Sequence, residues 1–230
     1  VSNLLLLSNS TNFGEQYMQW CKGIIASAVA ENSKQIIFIP YAGVGFSYAE
    51  YTAKVNNALA YVGLQVTNID DFENEIEALQ NASAIFVGGG NTFHLLKTLQ
   101  DKKLIEHIRT KVYEGVPYVG WSAGSNIASP TICTTNDMPI VEPQSFEALN
   151  LIEDQINPHY TDKTIENHGG ESRLQRLKEF LVANQDKRVV CLPESTYLEA
   201  SEGKIIYRGN SNGILLNYAS SETLLPNTII

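Results

Sequence analysis

Short runs rich in apolar residues alternate along the chain with longer stretches of helical period. Residues 3–7, 35–39, 64–68, 84–87 and 118–122 are such runs, dominated by Leu, Ile, Val and Phe. A run without polar alternation predicts a strand buried on both faces. Most of them stop at turn-forming residues: Ser8-Asn9-Ser10, Pro40, Gly88-Gly89-Gly90. Between the runs, residues 15–30, 71–80 and 93–113 predict helices, the last broken near Asp101. Another helix presents Tyr48, Tyr51, Val55, Leu59 and Val62 on one face. Strand–helix alternation with short links predicts an α/β fold, a parallel sheet covered on both faces. Right-handed crossovers then gather the loops that follow the strands at one edge. The turn Gly88-Gly89-Gly90-Asn91-Thr92 and the segment after Tyr118 both belong there.

Beyond residue 122 the pattern changes. Residues 131–143 have no helical period, and 149–170 form a long, mainly polar stretch, a length of loop more often functional than idle. Ser172 with Gln175 three positions on has capping-box spacing and opens a helix with Leu174, Leu177, Phe180 and Leu181 on its apolar face. Residues 189–192 predict a strand ending at Pro193-Glu194. Residues 197–200, 204–208 and 213–216 predict short strands, with Glu202-Gly203 as a hairpin turn. No repeat, low-complexity segment or linker divides the chain, so residues 1–230 are expected to form one domain.

Composition narrows the partners. With 230 residues, 43% of them hydrophobic and 18% charged, the chain suits a soluble globular protein. Its net charge of −9 argues against nucleic acid or an anionic membrane as partner, and a small acidic substrate would need a local cation. The three cysteines, Cys21, Cys133 and Cys191, are odd in number and lack C-x-x-C spacing. Neither a disulfide framework nor a metal site is expected, and no cofactor. Cys191 sits in an apolar run as a small buried hydrophobe. No run approaches the roughly 20 apolar residues of a membrane span. Leu4–Leu7 lacks the basic flank of a signal peptide, so the expected location is cytoplasmic.

The candidate chemistry centres on Gly120-x-Ser122-x-Gly124, the nucleophile-elbow pattern, where a serine stands on a strained strand-to-helix turn. Such a serine needs a base to take its proton and a third group to orient that base. Of four histidines, His94 and His107 fall in helical stretches as surface or packing residues. His159 and His168 lie in the polar loop; Pro158 fixes the backbone before His159 and ranks it first. Asp137 and Glu194 are candidates for the orienting acid. The Ala123 N–H, with that of Gly89 or Gly90, would hold an oxyanion. The rival reading of 88–92 as a phosphate turn lacks the G-x-G-x-x-G spacing and the Walker lysine.

Gly120-Trp121-Ser122-Ala123-Gly124, Pro130-Thr131 and Thr134-Thr135-Asn136-Asp137-Met138-Pro139 closely resemble the peptidase E group of the S51 serine peptidases. Gly88-Gly89-Gly90-Asn91-Thr92, Asn157-Pro158-His159-Tyr160 and Gly170-Glu171-Ser172-Arg173 are similar to the same family, so the likeness spans nearly the whole chain. The resemblance implies a flavodoxin-like three-layer α/β/α sandwich, akin to class I glutamine amidotransferases with serine at the elbow. It implies metal-independent hydrolysis of small acidic dipeptides, Asp-X; the chain itself is expected to be a monomer or homodimer. By position it makes Ser122 the nucleophile, His159 the base and Asp137 the favoured acid, with Glu194 as the alternative. It makes Arg173 the cation that reads the aspartyl carboxylate, with Asn91 also in the substrate site. Two alternatives stay open: a cyanophycinase-like β-aspartyl peptidase, and a non-catalytic ligand-binding relative.

Overall fold

The computed structural model describes residues 3–29, 34–164, 169–201 and 203–230. In chain order its first half runs β1 (Leu4–Leu7), α1 (Lys22–Ala28), β2 (Ile36–Ile39), α2 (Tyr48–Leu59), β3 (Val66–Asn68), α3 (Glu75–Gln80), β4 (Ala84–Val87), α4 (Thr92–Asp101), α5 (Ile105–Tyr113) and β5 (Tyr118–Trp121). The second half runs α6 (Ala123–Asn126), β6 (Gln155–Asn157), α7 (Arg173–Ala183), β7 (Arg188–Cys191), β8 (Thr196–Ser201), β9 (Lys204–Gly209), β10 (Gly213–Asn217) and β11 (Ser221–Leu224).

The main sheet has seven strands in the order β3-β2-β4-β5-β1-β8-β9. The first five are parallel; β8 and β9 join as an antiparallel hairpin on the β1 side. Strict alternation divides its side chains between two cores. Leu5, Leu7, Phe38, Phe86, Val119 and Trp121 meet Ile25 of α1 and Tyr51, Val55 and Leu59 of α2. Leu4, Leu6, Ile37, Ile39, Ile85 and Val87 meet Leu79 of α3, Leu95 and Leu99 of α4 and Ile108 of α5. Helices on both faces make the three-layer α/β/α arrangement. Each such leucine, fully buried, contributes about 1.5–3 kcal/mol.

A second sheet, β11-β10-β7-β6, thickens the outer layer on the α4–α5 side. Ile156, Val190 and Leu215 face the main core, while Val189, Cys191 and Leu216 pack under Leu177 and Leu181 of α7. The sequence pattern did not mark β6. Gln155 and Asn157 are polar, yet both are buried and hydrogen-bonded, to Thr131 Oγ1 at 2.9 Å and to Thr134 O at 2.8 Å. The helix expected over 15–30 starts only at Lys22. Turns precede it, built around Met18, which is fully buried and carries a positive φ of 58°. The break expected near Asp101 is present: α4 ends there and the chain turns through Lys103 at φ 58°. Among the described residues no helix is long and apolar enough to cross a membrane.

Candidate active site

Strands β4, β5 and β1 are neighbours, so the loops after them share one edge of the sheet. At the end of β5 the chain turns into α6 through Ser122, whose φ of 54° and ψ of −112° lie outside the ordinary regions of an L-residue. Such strain, of order 1–3 kcal/mol, persists only where surroundings fix it. Here Ser122 N donates to Leu7 O at 3.1 Å, and the Ser125 hydroxyl, fully buried, bridges Leu7 O and Gly120 O at 2.6 and 2.9 Å. Gly124 lets α6 descend onto β4: a Cβ there would stand 2.1 Å from Val87 O.

His159 reaches this serine from the other sheet. Its Nε2 lies 2.9 Å from Ser122 Oγ, and its Nδ1 lies 3.1 Å from Glu194 Oε1. A carboxylate only accepts, so Nδ1 carries the proton and Nε2 is free to accept from the hydroxyl. Both groups leave the same edge of the second sheet because β6 and β7 run parallel. Tyr160 N to Leu192 O at 2.8 Å carries that ladder past the strand ends. His159 itself has φ 52°, and its N–H donates to Ser8 Oγ at 2.9 Å. Ser8 in turn donates to Leu192 O at 2.8 Å. The His159 and Glu194 side chains are 39% and 53% exposed, so the array is open to water and to a ligand.

Asp137, the favoured acid, stands elsewhere. Its Oδ2 accepts from Thr92 N at 2.7 Å, Thr92 Oγ1 at 2.6 Å and Thr135 Oγ1 at 3.0 Å, and it makes no hydrogen bond with His159. The first turn of α4 draws it there, since a carboxylate is favoured at a helix N-terminus. The carboxylate on His159 is therefore that of Glu194. Asn91, expected to face substrate, is the N-cap of α4: its Oδ1 accepts from His94 N at 3.0 Å and its Nδ2 donates to Met138 O at 2.9 Å. Both ends of its amide are engaged within the protein. His94 Nδ1 lies 2.6 Å from Tyr41 O, a packing role. His168, the second candidate base, lies outside the described residues.

The glycine turn lies against the elbow. A Cβ on Gly89 would stand 2.9 Å from that of Ser122. Ala123, first residue of α6, has an N–H with no intrahelical acceptor. Arg173 opens α7 and is half-buried in the wall of a cavity of about 400 Å³, beside Thr135, Asp137 and Asn157. Its Nη1 is enclosed without a hydrogen-bond partner among the described residues. Burial first, and then the neighbouring charge of Arg176, lower its pKa from the ordinary value, and an arginine remains protonated through the working range. Ser122 and His159 stand outside the lining of this cavity, which includes Asn157, two residues before His159. Among the described residues no group of three or more His, Cys, Asp or Glu side chains could hold a metal ion.

Sequence reasoning missed the groups that hold these residues in place: Ser8, Thr92, Thr135 and Asn136, whose Nδ2 donates to Pro158 O at 2.6 Å. Thr92, Thr135 and Asn136 were visible only as part of motifs.

The fold is shared with solved structures. A peptidase from an acI-B1 Actinobacterium matches with a TM-score of 0.72 at 19% identity, covering 100% of this chain and 96% of that one. A Listeria monocytogenes protein matches with a TM-score of 0.66 at 24% identity, covering 91% and 99%. These show the fold, an α/β/α sandwich, on which this chain carries its serine–histidine pair at a strand-to-helix elbow. Residues 4–208 match the model of peptidase family S51, and the chain belongs to that family. Proteins named peptidase E are similar to it, one from Nostoc sp. at 48% identity over 95% of this chain and 90% of its own length. Another, from Escherichia coli, is 46% identical over 87% of each. The activity of the chain is that of a peptidase.

Proposed function

We propose that this peptidase is a metal-independent serine dipeptidase that cleaves dipeptides with an N-terminal aspartate. The observation that carries the reading is the Ser122 Oγ to His159 Nε2 distance of 2.9 Å on a strained elbow. Ser122 attacks the scissile carbonyl as His159 takes its proton. The tetrahedral oxyanion is held by the N–H groups of Ala123 and Gly90. His159 then returns the proton to the leaving amine, and an aspartyl ester remains on Ser122. Water, deprotonated by the same imidazole, hydrolyses that ester and frees the serine. Glu194 keeps Nδ1 protonated and stabilises the imidazolium that forms at each step.

Selectivity for aspartate is supported by Arg173, a half-buried cation in the cavity wall of an otherwise acidic protein, with a nitrogen that has no hydrogen-bond partner among the described residues. Arginine meets a carboxylate in a directional fork that lysine does not reproduce. A cavity of about 400 Å³ also suits a ligand of dipeptide size.

The test is turnover of a panel of Asp-X, Glu-X, Ala-X and β-linked Asp-X dipeptides. Asp-X should lead, Ser122→Ala should lose about 10³-fold or more in kcat, and Arg173→Ala should narrow the preference for Asp-X over Ala-X. Near-normal hydrolysis by Ser122→Ala would end the mechanism. A lead for β-linked substrates would move the reading to β-aspartyl peptides, and no turnover at all would leave a ligand-binding relative.

A further inference from the structure

The Gly89–Gly90 peptide has no side chain on either residue to restrict its rotation. Its flanks are pinned: Gly88 N donates to Ile39 O at 3.1 Å, and Asn91 N donates to Ala42 O at 2.8 Å. The peptide between them has one hydrogen bond among the described residues, from Tyr51 Oη to Gly89 O at 3.0 Å. Tyr51 Oη in turn accepts from Trp121 Nε1 at 3.1 Å, and Trp121 is the residue before Ser122. The Tyr51 ring stands edge-on to Phe38 and Phe46, both with centroids 5.1 Å away, and Phe38 stacks on Trp121 at 5.7 Å. Burial pushes the Tyr51 phenol above its ordinary value, so it stays a donor at neutral pH.

In a trans peptide the C=O and the following N–H point in opposite directions. With Gly89 O drawn to Tyr51, the Gly90 N–H points the opposite way, beside an elbow so close that a Cβ on Gly89 would stand 2.9 Å from that of Ser122. Gly90 has φ 142°, and a Cβ there would stand 2.1 Å from Ala42 O, so no side chain is able to take over the orienting role. If this peptide turned over, a carbonyl oxygen would face the developing oxyanion in place of a donor.

We propose that Tyr51 is a positioning residue that acts at a distance from the reaction: its hydroxyl, anchored by the Trp121 indole, locks the Gly89–Gly90 peptide with the Gly90 N–H aimed at the oxyanion. The inference rests on the serine-peptidase reading above. Tyr51 reads in the sequence as one more member of an apolar helix face, and the dipeptidase mechanism does not otherwise use it.

Tyr51→Phe removes one oxygen and tests this directly. Loss of a whole oxyanion donor costs about 10²–10³-fold in kcat, so a loosened donor should cost about 10–100-fold, with KM within about twofold. Labelling of Ser122 by a fluorophosphonate, whose P=O oxygen occupies the same position, should slow in parallel, and a crystal structure of the variant should show the Gly89 carbonyl turned. Trp121→Phe, which leaves the Tyr51 hydroxyl on Gly89, should lose less. A Tyr51→Phe enzyme with turnover per titrated serine and labelling rate within twofold of wild type overturns the proposal, even if its melting temperature falls. If the wild-type protein cleaves no dipeptide, the dipeptidase reading fails, while labelling rates and the variant's structure still decide the role of Tyr51.

Discussion

Glu194 and Asp137 occupy different physical settings, and the difference sets what each can do. Glu194 meets His159 Nδ1 at 3.1 Å with about half of its side chain in water. Asp137 is held by three donors from Thr92 and Thr135 at the start of α4. Glu194→Gln keeps an acceptor for Nδ1–H but loses the charge that stabilises the imidazolium. In a buried Ser-His-Asp array the equivalent change costs about 10⁴-fold; water around Glu194 weakens the field, so about 10–100-fold in kcat is the expected loss. Asp137→Asn should act mainly on stability, removing a helix-terminus charge worth about 0.3–1 kcal/mol, with turnover within about fivefold of wild type. Steady-state kinetics beside thermal melts of both variants decide. A silent Glu194→Gln with an inactive, normally stable Asp137→Asn would exchange the two roles.

At the scale of elements, the array joins two sheets: β5 supplies Ser122, and the parallel pair β6–β7 supplies His159 and Glu194 from one edge. Ser8, at the end of β1, ties them by accepting from His159 N and donating to Leu192 O. Ser8→Ala leaves the His159 N–H unpaired beside a fully buried position, at a cost of about 1–3 kcal/mol, while Leu192 O keeps the Tyr160 N–H. The expected outcome is a lower melting temperature and about a tenfold lower kcat, because His159 loses the anchor of its positive φ. Wild-type kcat in this variant would mean that the sheet ladder alone holds the imidazole. The centre of the main sheet was legible in the sequence because β1, β2 and β4 are unbroken apolar runs, and Ser122 because the elbow is a local pattern. β6 was not, because its polar residues find buried partners and leave no apolar signature. The partner of His159 was legible only as one of two candidates, Asp137 and Glu194: Glu194 lies 35 positions from His159, past the end of a neighbouring strand, a proximity that register creates and no local spacing records. Tyr51 was hidden for a third reason, since a hydroxyl on an apolar helix face looks like packing until its acceptor is seen.

On the scale of the whole molecule, a net charge of −9 works against the substrate that the cavity is proposed to take. An Asp-X dipeptide carries two carboxylates and one ammonium at neutral pH, a net charge of −1. Lys163, Arg173 and Arg176 line the cavity against Asp137 and Glu171, so the attraction is local and the repulsion is spread over the surface. Salt separates the two by range, because the Debye length falls from about 30 Å at 0.01 M to about 8 Å at 0.15 M. Raising ionic strength across that interval should screen the distant acidic surface more than the contact with Arg173. The expected result is a rise in kcat/KM for Asp-X of about two- to threefold, with Ala-X, net neutral, unchanged. In Arg173→Ala the salt-dependent rise should persist on a lower baseline, since the repulsive field remains while the local cation is gone. A fall in kcat/KM for Asp-X with added salt would mean that the cavity cations already dominate at long range, so that the fold steers its acidic substrate inward despite the net charge.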